Sequence, residues 1–173
     1  FATVGACGAL AVSVACFSPT TLSVAGKASA TTAASDALSA ATTNTGKVAA
    51  LCEVESMPSM WRYCEGFRVG VRYANPDLRA RVLYKDESET GELFNDPAWG
   101  EKQALFMLEG GVDILFAAGG ETARAALETA ASRGAYVIGA DEDMYYQLDN
   151  ADFVLSSAVK QAAPGVYALI RLA

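Results

Sequence analysis

From Lys47 to Lys160 the sequence switches repeatedly between two hydrophobic periods, and few architectures accept that alternation. Val48-Ala49-Ala50-Leu51-Cys52, Ala80-Arg81-Val82-Leu83-Tyr84, Val112-Asp113-Ile114-Leu115-Phe116-Ala117, Tyr136-Val137-Ile138-Gly139 and Phe153-Val154-Leu155 are short apolar runs of buried-strand type. Between them, apolar residues recur three and four apart: Met60, Tyr63, Cys64, Phe67, Val71 and Ala74, then Ala98, Ala104, Leu105 and Leu108. A third helix opens at Gly119-Gly120-Glu121-Thr122 and closes at Gly134. Asn75-Pro76-Asp77 stops the first helix, and Asp96-Pro97 gives the second an N-cap followed by Pro at its first position. Strands alternating with helices through short turns are βαβ units around a parallel sheet, so the fold class is α/β.

Residues 1–46 are different in kind. They carry only Lys27 and Asp36, in a chain that is 52% hydrophobic and 19% charged, against about 25% charged in average domains. The uncharged start, Phe1 to Phe17, reads either as the apolar core of a secretion signal or as two buried strands, 1–6 and 12–17. The strand reading fits the rhythm that follows. A helix is expected over 20–42, beginning after Pro19-Thr20-Thr21 and ended by Thr43-Asn44-Thr45-Gly46. No apolar run reaches the roughly 18 residues that a membrane-spanning helix needs.

The net charge of −7 and the lack of a basic cluster leave no footprint for nucleic acid. Without His, the Ser-His-Asp and Cys-His nucleophile systems are excluded. Cys7, Cys16, Cys52 and Cys64 form no C-x-x-C pair; they admit three disulfide connectivities or buried free thiols, and the sequence leaves both open. The dinucleotide pattern G-x-G-x-x-G is absent, so no nicotinamide or flavin cofactor is expected.

In open α/β sheets, ligands bind beyond the carboxyl ends of the strands. Four residues stand there. Asp141, after Val137-Ile138-Gly139-Ala140, could accept hydrogen bonds from vicinal sugar hydroxyls, ligate a hard cation, or sit in a solvated acidic turn. Gly119, between a strand and a helix, allows a ligand close to the backbone, or simply makes a tight turn. Phe94 and Trp99 bracket Asn95-Asp96-Pro97, where an aromatic can stack on a planar ligand or pin the helix to the core. Lys160 follows a strand and could reach into a cleft as a donor, although a surface Lys is the default.

Taken in order, the segments resemble the basic membrane protein family, substrate-binding proteins that include purine nucleoside receptor lipoproteins. The resemblance rests on Gly46-Lys47-Val48, on Gly66-Phe67-Arg68-Val69-Gly70-Val71 with Asn75-Pro76-Asp77, and on Phe94-Asn95-Asp96-Pro97. Gly111-Val112-Asp113-Ile114-Leu115-Phe116-Ala117-Ala118-Gly119-Gly120, Val137 to Asp143 and Leu155 to Lys160 complete it. It implies a type I periplasmic-binding-protein-like fold of two doubly wound, Rossmann-like parallel-sheet lobes. Residues 1–46 would then be part of an incomplete first lobe, 47–156 the second, and 157–173 a crossover back to the first. It further implies a protein without enzymatic activity, the extracytoplasmic component of an ABC importer. A nucleoside would be held between the lobes, a permease would be the partner, and a lipid anchor outside these residues would tie the protein to the membrane. Phe94 would stack on the base, Gly119 would contact it through the backbone, Asp141 would take the ribose hydroxyls and Lys160 would add a polar contact.

The chain departs from the family pattern at Gly5, where an Asp is frequent, and at Met144, where a Gln is frequent; lacking the family's opening strands and final elements, it reads as an internal fragment whose apolar remnant would promote aggregation. A Cys52–Cys64 bridge within one strand-to-helix unit suits an extracytoplasmic protein, provided the Cα atoms lie within about 7 Å. Alternatives from other classes are the effector-binding core of a LacI-like transcription regulator and an α/β nucleoside-processing enzyme.

Overall fold

The computed structural model describes residues 42–86 and 92–172. The elements run β1 (Lys47–Cys52), α1 (Pro58–Ala74), β2 (Arg79–Tyr84), α2 (Pro97–Glu109), β3 (Ile114–Ala118), α3 (Gly120–Ser132), β4 (Tyr136–Asp141), β5 (Val154–Val159) and α4 (Ala162–Leu172). The expected strands 1–6 and 12–17, the helix over 20–42, Gly5, Cys7 and Cys16 lie outside the described residues.

All five strands are parallel, in the order β2-β1-β3-β4-β5. The chain moves outward from β1 to β2, then crosses back over β1 to β3 and continues in the other direction. That reversal puts a topological switch point at the carboxyl ends of β1 and β3, where open sheets of this kind leave a crevice.

Strand side chains alternate between faces, and here both faces are covered. Val48, Ala50 and Cys52 pack with Met60, Tyr63, Cys64, Phe67 and Val71 of α1, whereas Ala49 and Leu51 pack with Met107 of α2 and Ala126, Leu127 and Ala130 of α3. Double-sided burial explains why the strands read as continuous apolar runs rather than alternating ones. The Phe67 ring, fully buried, stacks on Phe116 at 5.0 Å between centroids. Burying a side chain of this size contributes about 1.5–3 kcal/mol.

The punctuation works largely as the sequence implies. Pro58 begins α1, and Asn75, held extended before Pro76, ends it. The Asp96 carboxylate accepts the Trp99 N–H at 3.1 Å and caps α2, with Pro97 in its first turn. At the opposite end of the sheet, Asp113 fastens the entry to β1: its Oδ2 accepts the Asn44 and Thr45 N–H groups at 2.7 and 2.9 Å, and its Oδ1 accepts the Thr43 hydroxyl. Burial pushes the Asp113 carboxyl up, but these hydrogen bonds outweigh it and hold the group below the usual carboxylate range.

Cys52, the last residue of β1, is disulfide-bonded to Cys64 of α1 with their Cα atoms 6.3 Å apart. The bridge therefore ties α1 to the strand that borders the switch point.

Strand limits differ from expectation by one residue at the start of β1 and β2 and by more in the other three strands. β3 begins at Ile114 rather than Val112, whose N–H is taken by the Met107 carbonyl in the last turn of α2. β4 runs on to Asp141 rather than ending at Gly139. β5 spans Val154–Val159 rather than 153–155, because Ser156 and Ser157, which interrupt the apolar run, still pair with Ile138 and Gly139. The Ser157 hydroxyl is satisfied locally, accepting the Met144 N–H at 3.0 Å. The sheet consequently reaches Val159, three residues beyond the boundary expected at 156. Among the described residues no helix is long and apolar enough to cross a membrane.

Candidate functional site

Glu53 follows β1 directly and is 1% exposed. Its Oε1 accepts the Phe94 N–H at 3.1 Å, while Oε2 is buried without a partner among the described residues. Phe94 has φ +64 and is half-buried; its carbonyl accepts the Glu121 N–H at 2.8 Å in the first turn of α3. The loop before α2 is thus fastened at Phe94 both to the end of β1 and to the start of α3.

The Gly119-Gly120 pair is demanded by these approaches and not only by the turn. A Cβ on Gly119 would lie 2.5 Å from Glu53 Cγ, and one on Gly120 would lie 2.6 Å from the Phe94 carbonyl oxygen. Either distance is below any ordinary van der Waals contact. Gly119 also has φ +141, a conformation that L side chains rarely adopt.

Asp141 closes β4 with φ +70; it and Phe94 are the non-glycine residues with positive φ among those described. Such backbones cost about 1–3 kcal/mol each and persist where surrounding contacts fix them, often at binding sites. At Asp141 the backbone carbonyl accepts the Lys160 N–H at 3.0 Å, and Oδ1 accepts the Tyr63 hydroxyl at 3.1 Å. Lys160 Nζ forms an ion pair with the same Oδ1 and lies 5.5 Å from the centroid of the Tyr63 ring. Both side-chain contacts fall on Oδ1, and a carboxylate has lone pairs on two oxygens with which to accept from a ligand. Asp141 and Lys160 keep 35% and 47% of their side-chain surface exposed, which leaves the pair reachable from solvent.

Asp141 and the Gly119-Gly120 turn border a concavity at the carboxyl ends of β3 and β4. It is a cavity of about 300 Å³ lined by Gly119, Gly120, Arg124, Asp141, Glu142 and Met144. Arg124 bridges to Glu121 at 2.7 Å, and the hydrogen bond from its guanidinium holds the Glu121 carboxyl below its usual range. On the far side of the loop, Lys85, buried at the end of β2, pairs with Asp96 at 2.7 Å and joins the two ends of the segment that carries Phe94. That hydrogen bond, with the one from Trp99 N–H, lowers the Asp96 carboxyl. Among the described residues no group of His, Cys, Asp or Glu is arranged to hold a metal ion.

All four residues singled out from sequence therefore stand at this end of the sheet. The Phe94 backbone lies over Gly120 while its side chain packs against the core shared with α1, Gly119 and Asp141 line the cavity, and Lys160 is paired with Asp141. Trp99 does not join them; it packs with the core shared by α2 and α3, which is the helix-pinning alternative. Sequence reading gave no role to Glu53 and Lys85, although both stand directly after strands, and none to Tyr63. Glu53 carries the same signal that drew attention to Asp141, a carboxylate directly after an apolar strand. Tyr63 was counted as core by its spacing, but a buried Tyr hydroxyl needs a partner, and here that partner is Asp141.

Residues 35–173 match the model of the family described as Bmp, ABC transporter substrate-binding protein PnrA-like. The chain belongs to this family. Bmp proteins are substrate-binding proteins rather than enzymes, as the resemblance implied. Over 126 residues the Bmp chain is 32% identical to basic membrane protein A of Borreliella afzelii, a match covering 71% of this chain and 36% of that protein. It spans about a third of the length of that relative.

Among solved structures, the Bmp chain is similar to an ABC transporter solute-binding protein from Aeropyrum pernix, with TM-score 0.58 and 27% identity over 85% of this chain and 40% of the other. A transcriptional activator of the comK gene from Bacillus halodurans superposes with TM-score 0.65 at 22% identity, covering 83% of this chain and 45% of the other; it shares the fold. The fold class is accordingly the α/β periplasmic-binding type expected from the resemblance.

Proposed function

We propose that this Bmp-family chain contributes one wall of a nucleoside site in an extracytoplasmic solute-binding protein that delivers its ligand to an ABC permease. The observation that carries the reading is Asp141. Its carboxylate stands at a strand's carboxyl end, oriented through Oδ1 by Tyr63 and Lys160, and is reachable from solvent to accept from vicinal ribose hydroxyls. In this reading Phe94 presents its ring to a purine base, and the Gly119-Gly120 backbone admits the base closely. Lys160 shares its charge between Asp141 and the ligand. Closure of a second lobe over this wall would complete the site, in the manner of hinged binding proteins. The apolar and exposed Val166, Tyr167, Leu169 and Ile170 of α4 are consistent with residues 157–173 crossing back toward that lobe. A lipid anchor would lie outside these residues.

Calorimetric titration of a protein carrying both lobes with adenosine, guanosine, inosine and simple sugars tests the reading. Heat is expected with at least one nucleoside and none with the sugars; no heat with any nucleoside defeats it. Asp141→Ala should weaken that binding by about 1–3 kcal/mol, the cost of leaving buried hydroxyls unpaired. Unchanged affinity would remove Asp141 from the site.

A further inference from the structure

We infer that Glu53 is a positioning residue, one that sets how Phe94 meets the ligand without touching the ligand itself; the inference rests on the reading that Phe94 stacks on the base. Three observations converge. Oε1 accepts the Phe94 N–H at 3.1 Å, the one side-chain hydrogen bond Glu53 makes among the described residues. The stem of Glu53 lies directly beneath Gly119, where a Cβ would come within 2.5 Å of its Cγ. The second oxygen, Oε2, is buried without a partner among the described residues, in a side chain that is 1% exposed.

A carboxylate buried with one oxygen unsatisfied is a poor device for stability, since an unmet buried acceptor is costly and an apolar side chain of the same length would avoid the cost. What Glu53 supplies and an apolar residue cannot is an acceptor fixed at the end of β1, a strand buried from Val48 to Cys52. Phe94 needs such a fixture. Its left-handed backbone is unfavourable for an aromatic residue, and only outside contacts hold it there. The Phe94 carbonyl is anchored to the Glu121 N–H, and Glu53 anchors the N–H on the other side of the same residue. With both ends of Phe94 fixed, the direction in which its side chain leaves the backbone is fixed before a ligand arrives, so less ordering is left to oppose binding.

The test compares Glu53→Gln, which keeps an acceptor, with Glu53→Met, which fills the same length without one, both in the full chain. The first readout needs no ligand: hydrogen exchange of the Phe94 amide. Glu53→Met should speed it about tenfold, and Glu53→Gln should leave it near the parent rate. Equal exchange in both variants and the parent overturns the tether. The second readout is affinity, in the protein carrying both lobes, for the nucleoside found by calorimetry. Glu53→Met should weaken it about fivefold with Glu53→Gln close to the parent, and should add nothing when Phe94 is already Ala. An equal loss with and without the Phe94 ring would show that Glu53 does not act through it. If the parent binds no nucleoside, the nucleoside reading falls while the exchange comparison still decides whether Glu53 holds Phe94.

Discussion

Replacing Gly119 by Ala probes the point where backbone geometry and side-chain packing meet at the switch point. Two costs are legible in the structure. The backbone sits at φ +141, and an L residue held in such a region is strained by about 1–3 kcal/mol. The added methyl would also stand 2.5 Å from Glu53 Cγ and 3.4 Å from Glu53 Cβ. Glu53 has little room to yield, because it is buried and its carboxylate holds the Phe94 N–H, and overpacking of this sort costs about 1–3 kcal/mol. The expected total is about 2–6 kcal/mol. Gly134→Ala separates the two contributions, since Gly134 has φ +82 but nothing within 4 Å of an added Cβ. It should lose only the backbone part, about 1–2 kcal/mol. Urea unfolding of the full chain, followed by far-ultraviolet circular dichroism with midpoint and slope fitted together, measures both. If Gly119→Ala costs no more than Gly134→Ala, the close packing of Glu53 under Gly119 is wrong.

Two other outcomes are expected. The Cys52–Cys64 bridge closes a loop with a sequence separation of 12, so reducing it should lower stability by about 3 kcal/mol in urea titrations with and without reductant; a loss below about 1 kcal/mol would show that the bridge constrains little. Asp113 and Asp96 both have carboxyls lowered by hydrogen bonds in the folded state. Their folded values lie below their unfolded ones, so the stability they add is complete above the ordinary carboxylate range and lost as pH falls below about 4. Urea midpoints measured from pH 7 down to 2 should drop in that window, and Asp113→Asn should flatten the drop.

Much of the fold was legible because its local signals agree. Pro58, Pro76, Asp96-Pro97, Gly111 and Gly134 bound elements as their residue types require, and strands buried on both faces announce themselves as apolar runs. Legibility failed where polar residues are satisfied by partners far along the chain. Ser157 can sit in β5, paired with Gly139, because its hydroxyl meets the Met144 N–H, and Asp113 can sit at the edge of β3 because its carboxylate meets residues 43–45.

The candidate site divides in the same way. Phe94, Gly119, Asp141 and Lys160 could be picked from the chain, since each stands beyond a strand end and ligands gather there in open α/β sheets. The sequence could not tell that Asp141 and Lys160 are one ion pair, that Tyr63 orients their shared oxygen, or that Glu53 holds Phe94 across 41 positions. Periodicity reports which face of an element is buried, a property of neighbours in sequence. Strand order and parallel register decide which strand ends adjoin, and by setting β1 beside β3 and β4 beside β5 they bring together carboxylates, an amine and an aromatic ring that local pattern had left as separate candidates.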